Sequence, residues 1–539
     1  MENHHNSDAA RARLAQVGPT VPAVASGEPP SASDAGYRII IPTRRSPNVA
    51  QAVLLGSALA QLGLALAITI YLARVLSPVA FGFFALTGTI FILARKFLDL
   101  GLGSVAAREV AADAQRERPI LEGLMACRRA AGLFLMLALF VFAFAQKSAT
   151  ERGVLLAVGI VLLFTEPAAL DPVFQVRQAQ GGPALLNAVG GLLVLGGSLI
   201  FKRLSMPGMA FAWLLVLREA LILLFTKILA ERLLGYHPRP GFRGRALRSF
   251  VAPALIFGLA SLVYTIYFHG DVFFVNALRG PAELGAYAAA FRPINPLLLL
   301  PWLMMVPMVP VLTVAARQDR QRFVRQVRGA CRLALGLGAC GLVAGTLLAP
   351  DLVQLLYRGR YLTGPLSTVA AFRWLAVALG EVCVTTVLTA SLLADHKEKS
   401  LLAIGTSALL LNAVLNLLLL RRYNFTAAGF ATAASELLFL ICALLAFRFV
   451  THHSALTWDT LPYLLPAAAM GAMLYFAVLR STTGGAALHV VCGIMLGVLS
   501  VAAILALPGA RQFRKEMAGL PPAAPTTGTN EPTATEAPM

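Results

Sequence analysis

Apolar and polar positions in this chain come in long blocks and do not alternate. From about residue 49 to about residue 508, runs of about 18 or more mostly apolar residues are separated by short polar stretches. Each run is long enough to cross a hydrocarbon core of about 30 Å as a helix. Fourteen such runs can be drawn, at about 49–71, 79–98, 130–147, 153–171, 184–201, 208–229, 250–277, 286–313, 333–356, 367–393, 400–420, 426–450, 460–479 and 486–508. The pattern predicts an all-α polytopic membrane protein of about 14 transmembrane helices; the alternating segments of about ten residues that mark a β-barrel are not in it. Residues 1–48, rich in Ala, Pro, Ser and Gly, and residues 517–539, rich in Pro, Thr and Ala, read as disordered tails, and the first carries no apolar segment of a signal peptide.

One short stretch is written twice. ARVLSPVAFGFFAL at 73–86 and NALRGPAELGAYAA at 276–289 share the skeleton Pro-x-x-x-Gly-x-aromatic-Ala: Pro78, Gly82, Phe84 and Ala85, then Pro281, Gly285, Tyr287 and Ala288, at an offset of 203 residues. A second block follows at an offset of 204, in which Val110, Ala111, Ala112, Arg116, Arg118, Cys127 and Arg128 match Val314, Ala315, Ala316, Arg320, Arg322, Cys331 and Arg332. A short outer hairpin selects Pro and Gly for its turn, which explains the first block alone; a duplication explains both. Six predicted spans separate the copies, so the halves cross in the same sense and are related by an axis along the membrane normal, as in parallel-repeat transporters. The expected organisation is a cytoplasmic tail (1–48), an N-terminal six-helix lobe (49–229), a basic hinge-like linker (230–249), a C-terminal six-helix lobe (250–450), two added helices within 451–508, and a cytoplasmic tail (509–539).

Composition sharpens this picture. The 539 residues are 58% hydrophobic and 13% charged, and mean hydropathy is +0.73. A net charge of +19 would point to nucleic acid in a water-soluble chain; here the basic residues lie in loops, where membrane phospholipid head groups are their expected partners, and no nucleic-acid partner is expected. With the N-terminus cytoplasmic, inner segments hold 31 of the Lys and Arg residues and outer loops 11, which predicts N-in, C-in. Outer loops of about ten residues leave no room for a catalytic domain, which needs about 50. The six cysteines form no C-x-x-C pair and read as small apolar residues.

Candidate chemistry is confined to charges inside spans, each costing about 2.5–3.5 kcal/mol if it faces lipid. These are Arg218, Glu219, Asp271, Arg292, Arg373, Glu381 and Glu436. Arg292 precedes a proline-rich stretch (Pro293, Pro296, Pro301, Pro307, Pro310) that predicts a kinked or interrupted helix lining a cavity. Arg292 reads as an anion contact or as an arginine snorkelling to head groups. Arg373 and Glu381, eight residues apart, can flank one cavity without bonding each other. Arg218 and Glu219, being adjacent, are expected to point apart. Glu166 and Asp171 read as solvated end residues, and Asn412 and Asn416 either as a polar face or as interhelical glue. There is no P-loop, no H-E-x-x-H, no G-x-S-x-G and no paired acidic motif, so neither a catalytic residue, a metal nor a cofactor is expected, and the chain reads as a transporter.

LARVLSPVAFGFFALTGTIF (72–91), LDLGLGSVAAREVA (98–111) and DVFFVNALRGPAELGAYAAAFRPINPLLLLP (271–301) resemble the starts of the two halves of polysaccharide biosynthesis proteins of the oligosaccharide flippase type, in the MOP superfamily of multidrug, oligosaccharidyl-lipid and polysaccharide exporters. The resemblance implies a two-lobed, fourteen-helix flippase in the bacterial inner (plasma) membrane. It would move a polyprenyl-diphosphate-linked glycan by alternating access for exopolysaccharide, capsule or O-antigen synthesis, with H+ or Na+ as coupling ion and polysaccharide polymerase or export proteins as partners. A peptidoglycan-precursor flippase or a multidrug/cation antiporter of the same superfamily is the nearby alternative; a membrane-bound polymerase or glycosyltransferase is the alternative of another class. From the span reading, and not from the resemblance, the cavity candidates are Arg292, Arg373, Asp271, Glu381, Arg218 and Glu436, with Arg292 and Arg373 expected on the diphosphate.

Overall fold

The computed structural model describes residues 47–518, except 114–115, 147–148, 178, 242–243, 299–300, 302–304, 306–307 and 480–484. The two tails, apart from their innermost residues, therefore lie outside the described residues. The first half runs through α1 (Pro47–Val75), α2 (Pro78–Asp99), α3 (Leu102–Ala112), α4 (Glu117–Phe144), α5 (Ala149–Leu163), α6 (Asp171–Val176), α7 (Gly181–Arg203) and α8 (Phe211–Leu234). The second runs through α9 (Gly244–His269), α10 (Asp271–Arg279), α11 (Pro281–Ile294), α12 (Met308–Gln318), α13 (Arg320–Leu347), α14 (Ala349–Tyr357), α15 (Val369–Ala394), α16 (Glu398–Arg422) and α17 (Thr426–Thr451). Beyond these come α18 (Leu465–Met473), α19 (Ala486–Ala506) and α20 (Pro508–Ala518). The chain is an all-α polytopic membrane protein, and no strand occurs among the described residues.

Among the described residues nine helices are long and apolar enough to cross a membrane, or ten if the bent pair at Gly270 is one span. The helix α8 falls short because any membrane-length window within it contains Arg218, Glu219 and Lys227. A second shortfall is the expected span at 250–277, which is broken: α9 and α10 meet at a bend of 42°. Gly270 sits at that corner, where an added Cβ would lie 2.5 Å from the Ile266 carbonyl oxygen. The predicted interruption after Arg292 is present in the described part, since α11 ends at Ile294 and a turn follows at 295–298.

The two sequence repeats correspond to equivalent structure. In both halves a short helix, α3 or α12, runs to a break and then to a helix of 28 residues, α4 or α13. The repeated hairpins also begin helices alike, with proline in the first turn, where its missing N–H costs nothing. Ser77 caps α2 by accepting from the Ala80 amide (3.2 Å), whereas Gly280 precedes α11 at φ 86°, a conformation that favours glycine. The hairpins cross each other: a Cβ on Gly82 would lie 1.9 Å from the Pro281 carbonyl oxygen, and one on Gly285 would lie 2.1 Å from that of Pro78. Each copy's glycine thus seats the other's proline carbonyl, and α2 and α11 form the contact between the halves.

This end is tied further by Arg74, which donates to the carbonyls of Leu356 (2.6 Å) and Leu355 (2.8 Å) on α14, and by Arg360, which donates back to the Arg74 carbonyl (3.0 Å). Toward the opposite end of α2, Gly258 of α9 packs on Leu100, where an added Cβ would lie only 1.9 Å from the Leu100 carbonyl oxygen. The linker after α8 turns at Gly235 (φ 75°) and packs back on α4, the Gly241 amide donating to the Glu122 carbonyl (3.1 Å) and the Arg118 guanidinium stacking over Tyr236. The helices α18–α20 are packed on α13 through Leu333, Cys340, Tyr463, Met470 and Ile504.

Candidate functional site

Between the halves lies a cavity of about 730 Å3, walled by α1, α2, α7 and α8 on one side and by the end of α9, α10, α11 and the turn after it on the other. Its wall is mostly aliphatic and aromatic, and its titratable side chains are Arg95, Arg218, Glu219, His269, Tyr287 and Arg292. Helical spacing explains the convergence. Gly88, Ile92 and Arg95 lie on one face of α2, and Tyr287, Phe291 and Arg292 on one face of α11, so the crossed helices present both arginines to the same space.

Three of these charges form one network. Glu219 is buried, and its carboxylate accepts from Arg218 through Oε1 and from Arg95 through Oε2. Arg218 also donates to Asn187 Oδ1 on α7 (3.3 Å). The expectation that Arg218 and Glu219 point apart is corrected here: their side chains are long enough to fold toward the cavity from adjacent positions. Arg292 differs, because among the described residues no carboxylate pairs with it. Its guanidinium lies over the rings of Phe84 (5.5 Å) and Phe81 (5.9 Å) and has a long contact to Thr69 Oγ1 (3.5 Å). Aromatic faces stabilise a cation partly while leaving its N–H donors available.

A family model described as "Lipid II flippase MurJ" matches residues 183–495, more than half of the chain. The chain belongs to the MurJ family. A second family model, described as "Polysaccharide biosynthesis protein", matches residues 51–313. Among solved structures, the Lipid II flippase MurJ in an inward closed conformation is similar at 15% identity, over 87% of this chain and 100% of that one, with a TM-score of 0.68. An inward-facing multidrug resistance MATE family transporter of the MOP superfamily is similar at 15% identity, over 73% and 98%, with a TM-score of 0.52. A mutant of the Vibrio cholerae MATE transporter VcmN is similar at 14% identity, over 75% and 96%, with a TM-score of 0.51. No curated protein sequence matches the chain. The two family models agree with the flippase-type resemblance carried by the two repeated stretches, and the MurJ fold is shared over 87% of the chain.

In this MurJ-family chain the other candidate residues are placed elsewhere. Arg373, exposed near the start of α15, donates from Nε to the Thr346 carbonyl (3.1 Å) and does not line the cavity. Asp271, at the bend, is enclosed in the second half: Tyr287 and Thr432 hydroxyls donate to Oδ2 (2.8 and 2.6 Å) and Asn416 Nδ2 donates to Oδ1 (2.8 Å). Asn416 also donates to Asn412 Oδ1 (3.0 Å), so this pair joins α16 to α10 as expected of glue. Glu436 accepts from Tyr267 (2.8 Å) and Thr385 (2.6 Å), again inside the second half, with Glu381 half-buried near it. Glu166 is not a solvated end residue; it is buried and paired with Arg129 at 2.5 Å.

The sequence alone presents Arg95 as a loop-side basic residue and Glu219 only as a generic intramembrane charge. The available signal is position: Arg95 lies inside the apolar run 79–98, four residues before its partner-rich end at Asp99. Thr69, Asn187 and His269 carry no comparable signal, since uncharged polar residues are common in membrane helices.

Proposed function

We propose that this protein is a flippase that carries a polyprenyl-diphosphate-linked saccharide across the bacterial inner membrane by alternating access, for a surface polysaccharide. The single observation that supports it is the cavity between the halves, where three guanidinium groups face one carboxylate and leave an unbalanced positive charge in an apolar-walled space. A diphosphate diester carries one negative charge per phosphate and is prohibitive to move through bare hydrocarbon. Planar guanidinium forks suit its oxygens. The volume lies within the roughly 300–1,000 Å3 of ligand cavities and suits a head group, while the polyprenyl tail stays in lipid. The arginines assigned to the diphosphate are Arg292, Arg95 and Arg218; Arg373, expected beside Arg292, is held away by its bond to Thr346.

The coupling ion, H+ or Na+, is assigned to Asp271. Among the described residues no guanidinium or ammonium pairs with this carboxylate, and its surroundings are oxygen-bearing side chains from α11, α16 and α17, with Asn416 Oδ1 buried and unpartnered. Both termini are assigned to the cytoplasm.

The match to the MurJ family over more than half of the chain favours a second reading, in which the cargo is a peptidoglycan lipid precursor. Depletion in cells separates the two. The leading reading expects loss of surface polymer with accumulation of an inward-facing polyprenyl-diphosphate oligosaccharide and intact cell walls. Accumulation of the cell-wall precursor with lysis would instead establish the second.

A further inference from the structure

The cavity's only carboxylate among the described residues is the one group that works against an anionic ligand, and its placement is specific. Glu219 bridges two arginines from two helices, one oxygen to each. Its side chain is 7% exposed, whereas those of Arg95 and Arg218 are 46% and 23% exposed. The carboxylate is thus enclosed behind two guanidinium groups that both reach the cavity. The neighbouring ion pairs, Arg128 with Asp99 and Arg129 with Glu166 (each 2.5 Å), are separate direct contacts, and Asp171 lies within electrostatic reach of Arg128 and Arg95. The remaining charged or titratable side chains facing the cavity are Arg292, which has no carboxylate partner among the described residues, His269, and Tyr287, whose hydroxyl donates to Asp271.

We infer that Glu219 is a built-in counter-ion that the ligand's diphosphate displaces: it holds Arg95 and Arg218 in the empty cavity and gives them up, at least in part, when phosphate oxygens arrive. This rests on the diphosphate reading above. One carboxylate divided between two guanidinium groups leaves donors on both unsatisfied, and a diphosphate supplies an anionic group for each. The exchange lets two cations wait in an apolar cavity without the cost of unpaired burial. It also opposes tight binding, because Glu219 stays within reach as a repelling charge and reclaims its partners when the cargo leaves. A carrier must release what it binds, so binding that is too favourable slows its cycle. Glu219 is therefore a positioning residue that sets affinity and release.

The test is titration of geranyl diphosphate onto the full-length protein in lipid nanodiscs, followed by calorimetry. Glu219→Gln keeps the shape and a hydrogen-bonding oxygen but removes the repelling charge, so geranyl diphosphate should bind about tenfold more tightly and leave more slowly. Arg95→Gln leaves Arg218 to hold Glu219 and should weaken binding at least about fivefold, because an exchangeable guanidinium is gone. A role confined to holding the fold predicts the opposite pattern: weaker or unchanged binding in Glu219→Gln and unchanged binding in Arg95→Gln. Either of those results, with wild-type binding intact, overturns the counter-ion exchange and leaves the flippase reading standing. If wild-type protein does not bind geranyl diphosphate and Arg292→Ala changes nothing, the diphosphate reading itself fails and this inference with it.

Discussion

At the scale of single residues, burial and partnering separate two kinds of intramembrane charge that look alike in the sequence. Arg292 meets aromatic faces and, among the described residues, no carboxylate, the state of a cation awaiting an anion, and Arg292→Ala should lower affinity for a prenyl diphosphate at least about tenfold while leaving thermal unfolding of the purified protein nearly unchanged. Asp271 is the reverse case, a carboxylate that already accepts from Tyr287, Thr432 and Asn416. Asp271→Ala strands those donors in the interior, at about 1–3 kcal/mol for each left unsatisfied, so it should lower the unfolding temperature in detergent clearly, and Asp271→Asn much less. Both residues are visible in the sequence as charges within apolar runs. Which of them faces the cavity is not, because that depends on the bend at Gly270 and on the rotation of α11, neither of which a hydropathy pattern encodes.

At the scale of elements, the repeated Pro-x-x-x-Gly hairpin is an interface as well as a turn. Gly82 and Gly285 let α2 and α11 touch backbone to backbone, and the Pro78 and Pro281 carbonyls fill the space where side chains would be. Replacing either glycine with valine forces the helices apart at this crossing. In a background without native cysteines, Ile92→Cys on the cavity wall should be protected from a membrane-impermeant maleimide applied from the hairpin side, and Gly82→Val should make it reactive. Unchanged protection would mean that this crossing does not seal the cavity. The duplication, the proline interruption after Arg292 and the apolar runs are all legible in the sequence, since composition and spacing carry them directly. The break between α9 and α10 is not, because a charge such as Asp271 within a long hydrophobic run does not mark a bend and glycine is ordinary in membrane helices. Nor is the pairing of Arg218 with Glu219, which follows from how α2 and α7 pack on α8.

At the scale of the whole molecule, two halves of like build meet along α2 and α11 and flank a cationic cavity, with close approaches at Gly82 with Gly285 and at Gly258 with Leu100. Under the proposed alternating access, one of these approaches parts while the other stays closed. The excess of basic residues in alternate loops predicts that reporter fusions at both termini are cytoplasmic; a periplasmic reporter at either end would reverse the assignment of inner and outer gates. The central claim, that the cavity carries a diphosphate-linked lipid across the bilayer, is tested most directly by reconstitution into vesicles whose inner leaflet holds a fluorescent polyprenyl-diphosphate disaccharide, with outward movement followed by quenching. Wild-type protein should move the lipid well above the rate in protein-free vesicles without ATP, and Arg292→Ala should lose at least about nine-tenths of that rate. Movement no faster than in protein-free vesicles, or an unaltered rate in Arg292→Ala, would contradict the account.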